Sequence, residues 1–269
     1  MIRAALVGAT GRMGQEIIRA ARNSTDIAII AAVVSAQSTQ LGRDAGEVAG
    51  TAALEVIVGT DLAAALDGAD VVIDFSHPLA TEATLAACRQ AKKPLLLGTT
   101  GHGPALAHQF DRAAREIAFL VAPNTSLGAT VLLQLARAAA AALPRDFDAE
   151  ITESHHRLKN DAPSGTALAL GAAVAQGRGG QLTDIAVMNR NSGAARRAGE
   201  IGFAVVRGGD LVGVHTLLFA GDGEELTLTH RASDRGIFAR GALRAAAWLT
   251  LQPPGRYGMV DVLSAASGC

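Results

Sequence analysis

Cysteine is scarce in this chain: two in 269 residues, Cys88 inside a predicted helix and Cys269 at the last position. Neither a metal-ligand spacing nor a disulfide framework can be built from them, so no metal site is expected and redox chemistry has to come from a bound cofactor. A surplus of charge is missing as well. With 24 basic and 25 acidic residues the formal net charge is −1. That excludes the electrostatic footprint of a nucleic-acid binder or of a protein that docks on an anionic membrane. An anionic ligand must therefore be met by a local cluster. Membrane-spanning runs are absent too: the uncharged stretch 119–136 is interrupted by Pro123, Asn124, Thr125, Ser126, Gly128 and Gln134, and reads as strand, loop and helix. The N-terminus enters a short apolar strand with no signal-peptide core or small-residue cleavage site, so a cytoplasmic protein is expected.

What is present is apolar residue, 49% of the chain, enough for one large core or two modest ones. Over the first half, short Val/Ile/Leu runs alternate with Ala-rich amphipathic stretches, the pattern of a parallel sheet covered by helices. Strands are predicted at 2–7, 27–34, 56–58, 71–75, 95–97 and 118–122. Helices fit between them at 13–22, 61–66, 79–92 and 104–116, the last opening on Pro104, where a missing N–H does no harm. The class is α/β, a doubly wound parallel sheet.

After an Ala-rich helix at 128–143 the period changes to two, with Phe147, Ala149 and Ile151 on one face and Asp148, Glu150 and Thr152 on the other. Further strands are expected at 201–207, 212–220 and 224–231. The Gly208-Gly209-Asp210 and Gly221-Asp222-Gly223 turns between them suit antiparallel connections. A second domain with a mixed sheet follows from this. A final helix at about 235–249 fits either domain by pattern, and no internal repeat or low-complexity linker separates the halves.

Directly after the first strand stands Gly8-Ala9-Thr10-Gly11-Arg12-Met13-Gly14, and a helix begins there. Glycines in such a strand-turn-helix allow a tight turn and close approach of backbone to a pyrophosphate, whose charge sits at the helix's positive end. A dinucleotide site is expected, although a plain tight turn needs a glycine or two as well. Dinucleotide folds commonly carry an acid at the end of the second strand, where it binds ribose hydroxyls and disfavours a 2′-phosphate. Here that strand runs into Ser35, Ala36, Gln37 and Ser38. Ser35, Gln37 and Ser38 could donate to a phosphate with Arg12 nearby, which leans the expectation to NADPH over NADH; the alternative is an ordinary polar loop. Gly98-Thr99-Thr100-Gly101 and Ala122-Pro123-Asn124-Thr125 follow later strands at positions where parallel sheets meet ligands.

The densest chemistry lies in Glu153-Ser154-His155-His156-Arg157-Leu158-Lys159 and, shortly after, Asp161-Ala162-Pro163-Ser164-Gly165-Thr166. Histidine titrates near neutrality, and lysine can protonate a carbanion or pair with a carboxylate. Pro163 suits the first turn of a helix, whose Gly165 and Thr166 N–H groups would be open to an anion. The cluster reads as a dicarboxylate site. Taken singly, each residue has a plainer reading: His155 ending a buried strand, Arg157 and Lys159 as solvated loop charges. His77, His102, His108, His215 and His230 lack such company and are expected in packing or surface roles.

These segments resemble the 4-hydroxy-tetrahydrodipicolinate reductase (dihydrodipicolinate reductase) family. The likeness is carried by the Gly8 to Gly14 turn, Leu41-Gly42-Arg43-Asp44-Ala45-Gly46-Glu47, Val72-Ile73-Asp74-Phe75-Ser76, Gly98 to Gly101 and, most specifically, the Glu153 to Ala167 signature. Gly202-Phe203-Ala204, Val214-His215-Thr216 and Ala239-Arg240-Gly241-Ala242-Leu243 extend it over essentially the whole chain. The resemblance implies a Rossmann-like domain at 1–125, completed by 235–269, with an inserted mixed α/β domain at 126–234 that binds substrate and builds a homotetramer.

It further implies that NADH or NADPH delivers a hydride to C4 of a cyclic dicarboxylate with loss of water, in lysine and diaminopimelate biosynthesis. His155 takes the proton donor or acceptor role and Lys159 that of proton donor. His156, Gly165 and Thr166 hold carboxylates. Gly8, Ala9, Thr10, Gly11, Arg12 and Met13, then Gly98, Thr99 and Thr100, then Ala122, Pro123, Asn124 and Thr125, line the cofactor. The chain departs from the commoner pattern after the second strand, where an acid and an arginine are missing, and at His102 and Thr125, where aromatics are frequent. Another two-domain dehydrogenase, or a non-catalytic dinucleotide sensor, would share the cofactor fold but leave the paired histidines and Lys159 unexplained.

Overall fold

The computed structural model describes residues 1–103, 106–190 and 195–266. They form two compact units, Met1–Leu127 with the chain from Gly236 onward, and Gly128–Arg235. Cys269 lies outside the described residues.

The first unit holds β1 (Ile2–Val7), β2 (Ile27–Val33), β3 (Val58–Gly59), β4 (Val71–Asp74), β5 (Leu95–Leu97), β6 (Ala118–Val121) and β12 (Gly255–Tyr257) in one parallel sheet, ordered β12-β6-β5-β4-β1-β2-β3. Its central strands β5 and β6 read as apolar runs because both faces are covered. One face packs Leu6, Ile29, Ile73, Leu96 and Leu120 against Ile17 and Ile18 of α1 (Arg12–Arg22) and Ala242, Leu243 and Ala246 of α9 (Gly236–Leu249). The other sets Val7, Val72, Leu95, Leu97 and Phe119 against α3 (Leu62–Leu66), α4 (Thr81–Gln90) and α5 (Ala107–Glu116). Each large side chain buried this way contributes about 1.5–3 kcal/mol. Cys88 is part of this core, where burial pushes its thiol pKa up, so it is inert packing.

The expected 79–92 helix is a 3₁₀ turn over Pro78–Ala80 followed by α4, and the expected start at Pro104 lies outside the described residues. A short helix, α2 (Ala45–Val48), β12 and the closing α10 (Met259–Ala266) were not anticipated.

The second unit carries most of α6 (Leu127–Ala142), then β7 (Asp148–His155), α7 (Gly165–Gly177), α8 (Leu182–Ile185), β8 (Ala186–Val187), β9 (Ile201–Arg207), β10 (Gly213–Gly221) and β11 (Glu224–Ala232). The sheet order is β11-β10-β7-β9-β8, antiparallel among the first three and parallel among the last three. The β10–β11 turn at 221–223 makes the expected hairpin. The 208–210 turn does not, because β7 lies between β9 and β10: β9 reaches β7 by a crossover through α7, which leaves β7's other edge for β10. Helices α6 and α7 bury Leu132, Ala136, Leu170 and Val174 on Ile151, Phe203, Leu217 and Phe219. Among the described residues no helix is long and apolar enough to cross a membrane.

Candidate active site

In the first unit, Val7, Asp74, Leu97 and Val121 are register partners across β1, β4, β5 and β6. The chain therefore leaves the sheet at one level at Gly8, Phe75, Gly98 and Ala122, beside the point where strand order reverses on the two sides of β1. Ligands of open parallel sheets bind at such a point. Gly8 has φ +83°, and a Cβ there would lie 2.6 Å from the Phe75 carbonyl oxygen. At Gly98 a Cβ would enter the Phe75 ring, and at Gly14 it would meet the Gly8 carbonyl. The turn is thus a bare-backbone cradle opening onto the N-terminus of α1, as a pyrophosphate requires. Beneath it, buried Asp74 accepts from the Ser76 N–H (2.8 Å) and the Thr99 hydroxyl (3.1 Å) through Oδ1, while its buried Oδ2 has no protein partner among the described residues. These features fit a dinucleotide.

The cofactor residues expected from sequence divide by environment. Gly11, Arg12, Thr100 and Pro123 are exposed, and Thr10 and Asn124 are half-buried. Ala9, Gly98, Thr99 and Ala122 are buried, and half-buried Met13 packs on the core. Thr125 is buried and its hydroxyl donates to the Phe238 carbonyl at 2.7 Å. Its side chain is a packing group against α9, where a Cβ on Gly241 would strike the Thr125 carbonyl. His102 turns a ring nitrogen to the Thr99 carbonyl (2.7 Å) and packs edge-on against Phe110.

In the second unit, alternation along β7 puts Glu153 and His155 on one face. Pairing adds two distant residues: His215 of β10 stands opposite Glu153, and Arg207 of β9 stands opposite His155. Glu153 is 1% exposed and its carboxylate takes four donors. Arg207 supplies two, at 2.9 and 2.8 Å, the Ser164 N–H a third at 3.0 Å, and His155 Nδ1 the fourth at 2.5 Å. Burial acts against the charged carboxylate, but Arg207, then His155 and the Ser164 N–H, outweigh it and hold the pKa below the ordinary glutamate value. An ionised carboxylate only accepts, so His155 Nδ1 carries a proton and Nε2 is left as the exchanging nitrogen. Burial lowers the His155 pKa, and the opposing pull of Glu153 does not overcome it. His155 is accordingly a neutral base at physiological pH.

His215, expected in a packing or surface role, sits in this cluster. Its ring meets His155 edge to face at 5.0 Å, its Nε2 shares a hydrogen bond with the Ser164 hydroxyl at 3.0 Å, and burial pushes its pKa down to about 4. Ser164 also caps α7 by accepting from the Ala167 N–H at 3.2 Å. Pro163 is therefore not in the helix's first turn as expected; it precedes the cap, joined to Ala162 by a cis peptide bond. Gly165, exposed, and Thr166, half-buried, begin the helix.

A turn closed by Lys159 N–H to the His156 carbonyl (3.1 Å) brings Lys159 back beside the strand end. Its ammonium contacts both Asp161 carboxylate oxygens at 2.7 Å. Arg207 anchors the same loop through the carbonyls of Asp161 (2.6 Å) and Lys159 (3.3 Å). His156 is half-buried just past β7, and Arg157 is exposed. The arrangement offers a neutral base at the end of β7, with a cation and a helix start in the segment that follows it. Among the described residues no group of His, Cys, Asp and Glu converges as a metal site.

Family profiles described as "Dihydrodipicolinate reductase, N-terminus" and "Dihydrodipicolinate reductase, C-terminus" match residues 2–125 and 128–263. The chain belongs to the dihydrodipicolinate reductase family. Within it, the 4-hydroxy-tetrahydrodipicolinate reductase of Alkalilimnicola ehrlichii is 50% identical over 97% of this chain and 98% of its own. That of Halorhodospira halophila is 48% identical over 96% and 97%. A solved dihydrodipicolinate reductase from Paenisporosarcina sp. TG-14, bound to dipicolinate, superposes with a TM-score of 0.77 at 28% identity, covering 96% of this chain and 97% of that one.

Proposed function

We propose that this chain reduces 4-hydroxy-tetrahydrodipicolinate to tetrahydrodipicolinate with loss of water, in lysine and diaminopimelate biosynthesis. The observation that carries the reading is the buried Glu153–His155 pair beside the Lys159 loop, on a chain that matches the dihydrodipicolinate reductase family along both halves.

When bound, the reduced nicotinamide supplies the hydride that adds at C4 once the 4-hydroxyl has left and the ring imine is conjugated. Negative charge then develops over C3 and the ring nitrogen. Lys159 donates the proton that quenches it, after exchanging Asp161 for a substrate carboxylate. His155 moves protons at Nε2 while Glu153 holds its other nitrogen. His156 and the α7 start at Gly165 and Thr166 hold the substrate carboxylates. This fixes the ring face and supplies part of the rate enhancement through orientation. Gly8 to Met13, Gly98 to Thr100 and Ala122 to Thr125 would hold the cofactor, with NADPH preferred over NADH.

The family reading extends to a cytoplasmic homotetramer built on the second unit. It is supported by the sheet face away from α6 and α7, which leaves Ala204 and Val206 exposed beside Thr152. Light scattering on the purified protein reads the mass. Function is tested by loss of reduced-nicotinamide absorbance when substrate is generated in place from pyruvate and aspartate semialdehyde by the preceding synthase. Oxidation that needs every component supports the assignment; its absence from folded protein with either cofactor overturns it.

A further inference from the structure

Beyond the end of β2 the first unit has an open cavity of about 500 Å³, lined among others by Thr10, Gln15, Gln37, Ser38, Gln40 and Arg43. It adjoins the glycine turn through Thr10, whose carbonyl accepts from the Gln15 amide at 2.9 Å. In dinucleotide folds the adenosine ribose lies at this distance along the cofactor, past the end of the second strand. Its lining contains no carboxylate among the described residues and one cation, Arg43. Arg12, at the first position of α1, is not part of it.

Arg43 is exposed, and its position is set by local hydrogen bonds. Its guanidinium donates to the Gln40 side-chain oxygen at 2.5 Å, its N–H donates to the Gln40 carbonyl at 3.2 Å, and its carbonyl accepts from the Val58 N–H at 2.9 Å. Gln40 is placed in turn by its N–H to the Ser38 hydroxyl at 3.3 Å. The adjacent acid, Asp44, is not among the residues that line the cavity. Its carboxylate is turned onto the N–H groups of Leu54, Gly46, Glu47 and Val56, and these lower its pKa against the effect of burial.

We propose that Arg43 is the specificity-determining residue for the 2′-phosphate of NADPH, with Gln37 and Ser38 as neutral donors beside it. This rests on the preference for NADPH stated above, and replaces the cation that the end of β2 lacks with one from the loop before α2. A guanidinium fork is suited to a phosphate monoester, where one good charge-assisted contact is worth about 1.5–3 kcal/mol.

The test is calorimetric binding of 2′,5′-ADP and 5′-AMP, together with the nicotinamide fluorescence of NADPH and NADH, on the full chain and on Arg43→Ala and Arg43→Lys. The wild-type protein is expected to bind the 2′-phosphorylated member of each pair more tightly, by an amount that shrinks with added salt. In Arg43→Ala the 2′-phosphate advantage falls about tenfold or more, and Arg43→Lys restores part of it by charge without the fork. A wild-type advantage that survives intact in Arg43→Ala overturns the role of Arg43 and leaves the NADPH reading standing. No wild-type preference for either phosphorylated ligand overturns both.

Discussion

Replacing Arg207 with methionine keeps the apolar stem and removes the cation that spans Glu153 and the Lys159 loop. Glu153 would remain 1% exposed with only His155 and the Ser164 N–H as donors. Breaking a buried ion pair from one side costs about 3–5 kcal/mol, and the 19% exposure of the Arg207 side chain argues for the lower end, about 3 kcal/mol. The lone tryptophan and tyrosine, Trp248 and Tyr257, both lie in the first unit and are blind to this change. Amide hydrogen exchange over β7 and α7 is therefore the assay, and about 3 kcal/mol corresponds to exchange roughly a hundredfold faster.

The acid dependence carries the same logic. In the wild-type protein the Glu153 pKa is lowered, so its stabilisation is full above the unfolded-state pKa of about 4.3 and is lost as pH falls through the folded value. In Arg207→Met burial is less opposed and the Glu153 pKa rises. The gap between the two proteins should be widest at neutral pH and close as the variant's carboxyl protonates. Equal exchange in both proteins, or a gap that persists unchanged in acid, would refute the reasoning.

Lys159→Ala should lower kcat by about a hundredfold or more while the NADPH dissociation constant stays within a factor of about two, read by turnover and nicotinamide fluorescence. Gly213→Ala places a methyl 3.0 Å from His155 Nε2; a displacement of a few tenths of an ångström should cost roughly threefold to tenfold in kcat, and an unchanged kcat would mean that Nε2 is not held there for chemistry. His215, with its pKa near 4, is neutral in the fold and charged in the unfolded chain between about pH 4 and 6.5. Stability should therefore fall by roughly 3 kcal/mol as pH drops through that window, and exchange in His215→Gln should show a visibly shallower acid limb. Gly98→Ala drives a methyl into Phe75, so calorimetry should find weaker binding of both NADPH and NADH, with substrate-unit exchange unaltered.

The central strands of the parallel sheet were legible because burial on both faces favours runs of Val, Ile and Leu, and β1 and β5 have the expected bounds, as does β9 in the second unit's mixed sheet. The glycine turn was legible because backbone geometry dictates residue type there. β12 was not: three residues at a sheet edge, with Gly255 and Arg256 among them, carry no periodicity. In the second unit the His155 to Lys159 density was visible as a local string, but the pairing of Glu153 with His155 was not read from it, although their two-residue spacing sets them on one strand face. Arg207 and His215 reach the cluster only through strand pairing, which no local signal encodes. The 208–210 turn misled for a related reason: a glycine-rich loop looks the same whether it joins neighbours or passes over an intervening strand. Arg43 was hidden similarly, on a loop separate from the strand end where a phosphate-binding cation was sought.

The most direct test of the proposed reaction follows the label. Turnover is run with nicotinamide cofactor deuterated at C4, and the cyclic product is examined by mass spectrometry and NMR. The account predicts one deuterium at C4 of tetrahydrodipicolinate, together with a solvent-derived proton at C3 whose delivery collapses in Lys159→Ala. Cofactor oxidation without deuterium in that product, or with deuterium at another carbon, would contradict it.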